Sequence, residues 1–124
     1  VADFTPCTTA DKKIKKQPGQ DGMVVELKTT TDIAATLGAS KQAHQRLVGF
    51  ALETHDEQAN ALRKLQSKNL DMIVLNSLQD QGAGFGVDTN KVTLLFADGT
   101  KKDLPLLLKQ EVADVIVESI LQLI

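Results

Sequence analysis

The stretch ADKKIKKQPGQDG, residues 10–22, packs Lys12, Lys13, Lys15 and Lys16 around Ile14 and then breaks the chain at Pro18-Gly19 and Asp21-Gly22. Lysine ammonium groups on a turn-rich loop neutralise anionic oxygens, as in a phosphate clamp. Blocks of lysine also occur in nucleic-acid patches, targeting signals and plain solvated faces. Two features favour the clamp. The cluster lies in a loop punctuated by Pro and Gly, not on a helix where lysines would only cover a face. A second pair, Lys64 and Lys68, follows an apolar segment of strand type, and ligands of open α/β sheets bind at the ends of such strands. A polyanion such as a nucleoside triphosphate could draw on both groups.

Composition limits the alternatives. The net charge of −2 and pI near 5.6 make the positive charge local, unlike a surface built wholly for nucleic acid. Four Phe with no Trp or Tyr leave few rings for the stacking platforms of single-stranded nucleic acid. His44 and His55 stand far apart, outside any metal-ligand spacing, so neither is assigned a metal. Cys7, the single cysteine, cannot form an internal disulfide and lacks a thiol-nucleophile motif. GAGFG (82–86) follows an apolar segment but departs from G-x-G-x-x-G spacing, and reads as a turn that could line a site. No apolar run approaches membrane-spanning length, which fits a soluble, reducing, cytoplasmic setting.

The elements that must position these residues follow from periodicity. A chain of 124 residues, 42% of them hydrophobic, can bury one core of ordinary size, so one domain is expected. MVVELK (23–28) reads as an edge or flap strand after a loop-like opening. TTTDIAATLG (29–38) reads as a short helix with Thr31 or Asp32 as N-cap and Gly38 as its stop. RLVGFALE (46–53) is nearly all apolar and predicts a central strand covered on both faces. Thr54 and Glu57 have the T-x-x-E spacing of a capping box, predicting a helix over 55–68 with Ala59, Leu62 and Leu65 as its core stripe. Lys64 and Lys68, four apart, should project together on its flank. DMIVLN (71–76) predicts a second buried strand, Asp98-Gly99 a hairpin turn, and the segment from Lys109 onward an amphipathic helix facing inward through Val112, Ile116, Ile120 and Leu123. This order describes an α/β layer structure with a largely parallel sheet.

Several segments together resemble one family. VADF, KIKKQ, TDIA, LVGFALET, KLQSKNLDMIVLN, GAGFGVDTNKVTLL and LPLLLKQEVADVIVESI are similar, in order and over nearly the whole chain, to the C-terminal portion of bacterial phosphopantothenate–cysteine ligase. That portion belongs to the synthetase half of a bifunctional flavoprotein that also carries a phosphopantothenoylcysteine decarboxylase. The resemblance implies a three-layer Rossmann-like (ribokinase-like), largely parallel sheet with a flap and a C-terminal hairpin plus helix. Residues 1–124 would be the C-terminal part of the ligase domain. The opening VADFTPC has no initiator Met and reads like the inside of a longer chain. A fragment without the family's N-terminal glycine-rich contacts should be inactive by itself.

The resemblance also implies a reaction in coenzyme A biosynthesis. CTP activates the carboxylate of 4′-phosphopantothenate as an acyl-cytidylate, and L-cysteine displaces CMP to give phosphopantothenoylcysteine. Mg²⁺ accompanies the triphosphate, and FMN belongs only to the decarboxylase domain, absent here. Matched by motif, Asp3 corresponds to a nucleotide-site aspartate and Lys13 to the catalytic lysine of a mobile flap. Thr31, Asp32 and Ile33 match a nucleotide-contact segment, with Thr31 standing where Pro is common. Phe50 matches a phenylalanine at the base site, and Lys64 and Lys68 match two nucleotide-site lysines. A homodimer with the flap near the subunit boundary is implied, with neither nucleic acid nor membrane as partner. Two alternatives stay open: a parent that uses ATP, and a lysine-bearing module that binds nucleic acid or another polyanion without catalysis.

Overall fold

A computed structural model describes residues 2–77 and 86–124. The chain divides into two compact units, Val1–Asp32 and Ile33–Ile124.

The first unit is a small antiparallel ribbon. Strand β1 (Phe4–Pro6), in the opening read from sequence as a loop, pairs with β2 (Leu27–Thr29), which occupies only the end of the MVVELK stretch and runs one residue past it. Between the strands lies the lysine segment. Pro18 and Gly19 form its turn as anticipated: Gly19 has φ 79°, and the Gln20 N–H donates to the Gln17 carbonyl at 3.1 Å, as in a type II turn. No described residue of this unit is buried.

The second unit holds the core. Its main sheet runs β3 (Val48–Glu53), β4 (Met72–Ser77), β6 (Val92–Phe96), β7 (Lys101–Asp103), and a two-stranded piece joins β5 (Thr89–Asn90) to β8 (Leu107–Leu108). The helices are α1 (Ile33–Ser40), α2 (Glu57–Ser67) and α3 (Lys109–Leu121). Only β3 and β4 pair in parallel; β4 with β6 and β6 with β7 are antiparallel. The expectation of a largely parallel sheet is therefore corrected to a mixed one among the described residues. The physical reason is connectivity, since a parallel pair needs a long crossover and only α2 supplies one between neighbouring strands of this sheet. The predicted hairpin at Asp98-Gly99 is present, with Gly99 at φ 87° and Asp98 Oδ1 accepting from the Thr100 N–H and hydroxyl at 2.8 and 2.7 Å.

Side-chain alternation sends two sets of residues to opposite faces. Ala51, Ile73, Leu75 and Leu95 pack with Ala61 and Leu65 of α2. Met72, Val74, Val92 and Leu94 pack with Val112 of α3, and Ile116, Ile120 and Leu123 complete that layer, as the helical periodicity anticipated. The result is a helix on each face of the sheet.

Three local expectations change. Among the described residues β3 is an edge strand, not a central one: on the α3 side Phe50 is 68% exposed and Leu52 44% exposed. Thr54 is not the N-cap of α2. Asp56 occupies the N-cap in the left-handed region, φ 45°, which leaves Thr54 two residues upstream of the helix, its hydroxyl beside His55 Nδ1 at 3.3 Å. Gly38 does not stop α1, which continues to Ser40; it is there because a Cβ would lie 1.8 Å from the Lys68 carbonyl oxygen. That carbonyl belongs to a Schellman turn ending α2, in which the Leu70 and Asn69 N–H groups donate to the Leu65 and Gln66 carbonyls, with Asn69 at φ 50°.

Candidate functional site

In the ribbon unit, strand pairing joins residues 28 positions apart. The Thr30 N–H donates to the Asp3 carbonyl at 2.9 Å and the Thr30 hydroxyl to the Ala2 carbonyl at 2.7 Å. Asp3 is thereby held beside the segment that continues into Thr31 and Asp32, and all three are exposed. Asp3 and the segment beginning at Thr30 are thus neighbours through bonds to the backbone. Lys13 and its three lysine neighbours are exposed on the connection between β1 and β2. An open cavity of about 360 Å³ in this segment is lined by Ile14, Lys15, Lys16, Gln20, Asp21 and Met23; Lys13 is not among its walls.

In the sheet unit, Ile33 begins α1 and is half exposed. Phe50 points to the α3 side of β3, because its neighbour Ala51 is buried against α2. Lys64 lies on α2, on the other side of the sheet. Its Nζ is 2.6 Å from Oε1 of Glu53, the last residue of β3, whose carboxylate side chain is only 11% exposed. The lysine head is thus carried to the C-terminal end of the parallel strand pair, where ligands of open sheets bind. Lys68 caps α2 at its other end and is half-buried. The expectation that Lys64 and Lys68 project together is revised: Lys64 is tied to Glu53, and Lys68 sits where α2 turns into β4.

Several contributors were missed from sequence. Glu53 is a partner eleven residues before Lys64 and becomes visible only once strand and helix are packed. The Asn76 and Asn90 amides bond across the strand ends, Nδ2 of Asn90 donating to Oδ1 of Asn76 at 2.7 Å. At the opposite end of the sheet, Asp71 Oδ2 accepts from Lys41 Nζ at 2.8 Å and from the Leu47 N–H at 2.7 Å, tying the chain after α1 to the starts of β3 and β4. Burial pushes the Asp71 carboxyl up, but those two hydrogen bonds and the Lys41 and Arg46 charges outweigh it and hold it below the usual carboxylate range.

No group of three or more His, Cys, Asp or Glu side chains suited to a metal gathers among the described residues. Residues 82–85 of the GAGFG motif lie outside the described residues; Gly86 is described and has φ 78°. Among the described residues no helix is long and apolar enough to cross a membrane.

The model of the DNA/pantothenate metabolism flavoprotein C-terminal domain matches residues 1–124. A protein described as cysteine/cysteine sulfinic acid decarboxylase, from an unknown prokaryotic organism, is 56% identical over the whole chain, which covers 34% of that relative. The coenzyme A biosynthesis bifunctional protein CoaBC of Bacillus subtilis (strain 168) is 52% identical over 97% of the chain and 29% of its own length. The CoaBC of Escherichia coli (strain K12) is 36% identical over 97% of the chain and 30% of its own length. The chain therefore spans about a third of the length of the curated relatives it matches. Among solved structures, the C-terminal domain of a CoaBC protein superposes with a TM-score of 0.68 at 47% identity, over 79% of this chain and 46% of that one. A DNA/pantothenate metabolism flavoprotein from Streptococcus pneumoniae, at 18% identity and TM-score 0.72, shares the fold over the whole chain and 60% of its own. The chain belongs to the family of DNA/pantothenate metabolism flavoprotein C-terminal domains, the synthetase half of the CoaBC proteins.

Proposed function

We propose that this chain supplies the nucleotide-binding half of a phosphopantothenate–cysteine ligase acting in coenzyme A biosynthesis, within a longer chain that forms a homodimer. The β3–α2–β4 unit would belong to a larger Rossmann-like sheet. The observation that carries the reading is Phe50, an aromatic ring left 68% exposed on a strand whose next residue is 2% exposed. An uncovered ring on the open face of a parallel strand pair is suited to receive a nucleobase.

In the proposed reaction a carboxylate oxygen of 4′-phosphopantothenate attacks the α-phosphorus of CTP and pyrophosphate leaves. The amine of L-cysteine then attacks the acyl carbon, CMP leaves, and the amine gives up a proton. Lys64, fixed by Glu53, supplies charge at the strand end. Lys13, on the exposed segment, supplies it where negative charge develops on the transferring group. Asp3 and the Thr31–Asp32–Ile33 segment border the nucleotide, and Lys68 adds charge from the far end of α2. Mg²⁺ would be held chiefly by the triphosphate oxygens and would neutralise them.

The test is pyrophosphate release by the full-length protein that contains this chain, with 4′-phosphopantothenate and Mg²⁺, comparing CTP with ATP, with and without cysteine. CTP- and phosphopantothenate-dependent release that falls at least a hundredfold in Lys13→Gln, about 2.7 kcal/mol of transition-state stabilisation, supports the reading. Release with ATP alone reassigns the nucleotide. No release with either refutes the ligase, and steeply salt-dependent binding to any polyanion would then favour the non-catalytic module. The 124 residues alone should turn over no CTP.

A further inference from the structure

At the end of the sheet where β3 and β4 begin, the last turn of α1 and the chain leading from it into β3 line an open cavity of about 540 Å³. Leu37 and Leu47 give it apolar surface, and Lys41 and Arg46 give it two cations, with no acidic side chain among the lining residues. Glu53 and Lys64 stand at the other end of β3, so this cavity lies apart from the site described above.

The two cations differ in how they are neutralised. Lys41 Nζ is paired with Asp71 Oδ2 and also donates to the Asn69 carbonyl, each at 2.8 Å. Arg46 has only carbonyl partners among the described residues: Nε donates to Leu123 at 2.6 Å, and Nη1 to Ala43 and Gln45 at 2.9 and 3.0 Å. Three of its five N–H groups are thereby spent on backbone, which pins the guanidinium plane and leaves the two on Nη2 without a protein acceptor. Among the described residues no buried side-chain nitrogen lacks a partner, so Nη2 meets water. Gln45 adds a second donor. Its Oε1 accepts the Gln42 N–H at 2.9 Å, and because a backbone N–H only donates, Nε2 is the end left over. Gln42, by contrast, spends its Nε2 on the Ser40 carbonyl at 3.2 Å.

We propose that this cavity binds a small amphiphilic oxyanion, a carboxylate or phosphate head on a short apolar body. The head accepts from Arg46 Nη2 and Gln45 Nε2, and it meets the guanidinium end-on because Nε and Nη1 are occupied. Oxyanion lone pairs accept from several directions, so the two donors need not be parallel. The body lies against Leu37 and Leu47, of which Leu37 is half exposed. A cationic ligand finds repulsion from Arg46 and no carboxylate on the walls. The proposal stands independently of the ligase reading.

The experiment titrates the full-length protein with butyrate, butyl phosphate, acetate and butylammonium by calorimetry. Butyrate or butyl phosphate should bind saturably, about tenfold or more tighter than butylammonium, and the tighter of the two names the head group. Acetate, two methylenes shorter than butyrate, should bind several-fold more weakly, since each fully buried methylene is worth up to about fourfold. Gln45→Glu keeps an oxygen for the Gln42 N–H and puts negative charge where the donor was; affinity should fall about tenfold or more, the order of one charge-assisted hydrogen bond. Gln45 is exposed, so the variant should fold, and the comparison of head groups needs no variant at all. If Arg46 merely ties backbone together, neither anion binds saturably, and that result overturns the proposal. Butylammonium or acetate binding as tightly as butyrate, or unchanged affinity in Gln45→Glu, overturns it too. Binding that disappears in Lys13→Gln instead belongs to the lysine segment and overturns the assignment to this cavity.

Discussion

Replacing Gly38 with alanine sets two rules of protein stability against each other. Gly38 lies inside α1, and by helix propensity alone alanine there should stabilise by about 1 kcal/mol. The structure predicts the opposite sign. A Cβ at this position would sit 1.8 Å from the Lys68 carbonyl oxygen and 2.8 Å from its carbonyl carbon, where ordinary contact begins at 3.4 Å. Both atoms are backbone, and that backbone is held by the Schellman turn closing α2. Neither can rotate away, so helix and turn must part by more than an ångström. Overpacking of this kind costs about 3 kcal/mol at the upper end of its usual range. Net of propensity, Gly38→Ala should lose about 2 kcal/mol, read as a lower urea midpoint at unchanged m-value. Gly49→Ala is the control, because its nearest obstacle is Cδ1 of Leu70 at 2.6 Å, a side-chain atom able to move, and its loss should be smaller. A Gly38→Ala protein as stable as the wild type, or more so, would refute the close approach of α1 to the α2–β4 turn.

The remaining predictions concern charge and the exposed ring. Asp71→Ala leaves the Leu47 N–H without its acceptor and should cost about 1–2 kcal/mol in urea unfolding. Because the folded Asp71 carboxyl is held below its usual range, its contribution is complete above about pH 4 and disappears as pH falls through the lower folded value; the variant should show a flatter acid limb. Phe50→Ala should change stability by less than about 0.5 kcal/mol. It should weaken nucleotide binding by about tenfold, in the range of stacking measured by alanine substitution. Lys64→Met strands the Glu53 carboxylate and should cost about 1–3 kcal/mol, less than a fully buried pair because the lysine is 41% exposed. Adding Glu53→Gln should restore most of that stability in urea melts and none of the nucleotide affinity in titration.

Legibility from sequence followed the range of the interactions. The amphipathic pattern of residues 109–123 and the Asp98-Gly99 turn are local, and both stand in the structure. The strand at 48–53 was legible as a strand, but its apolar run was read as burial on two faces when Phe50 and Leu52 lie open. An apolar run does not distinguish a strand covered on both faces from one open on a single face. Gly38 was misread for a related reason: a helix stop and a close approach both call for glycine, and only the position of Lys68 separates them. The T-x-x-E spacing at 54–57 sets the N-cap two residues early, because Asp56 takes that position in a left-handed conformation, which aspartate tolerates better than most residues. For the candidate site, lysines were legible as charge, whereas Glu53 and the paired amides of Asn76 and Asn90 depend on contacts between separate elements.

The ribbon unit has a calorimetric consequence. Its strands are three residues each, none of its described residues is buried, and Ile14, Met23, Val24, Val25 and Leu27 are each at least half exposed to water. An isolated two-stranded ribbon is marginal in water. A ligand that merely neutralises Lys12, Lys13, Lys15 and Lys16 buries little carbon and should bind with a heat-capacity change near zero. A ligand over which the segment folds must also take those five apolar side chains out of water, and that produces a negative heat-capacity change. The temperature dependence of the binding enthalpy therefore separates a lysine patch that attracts phosphate from a segment that builds its missing core around what it binds.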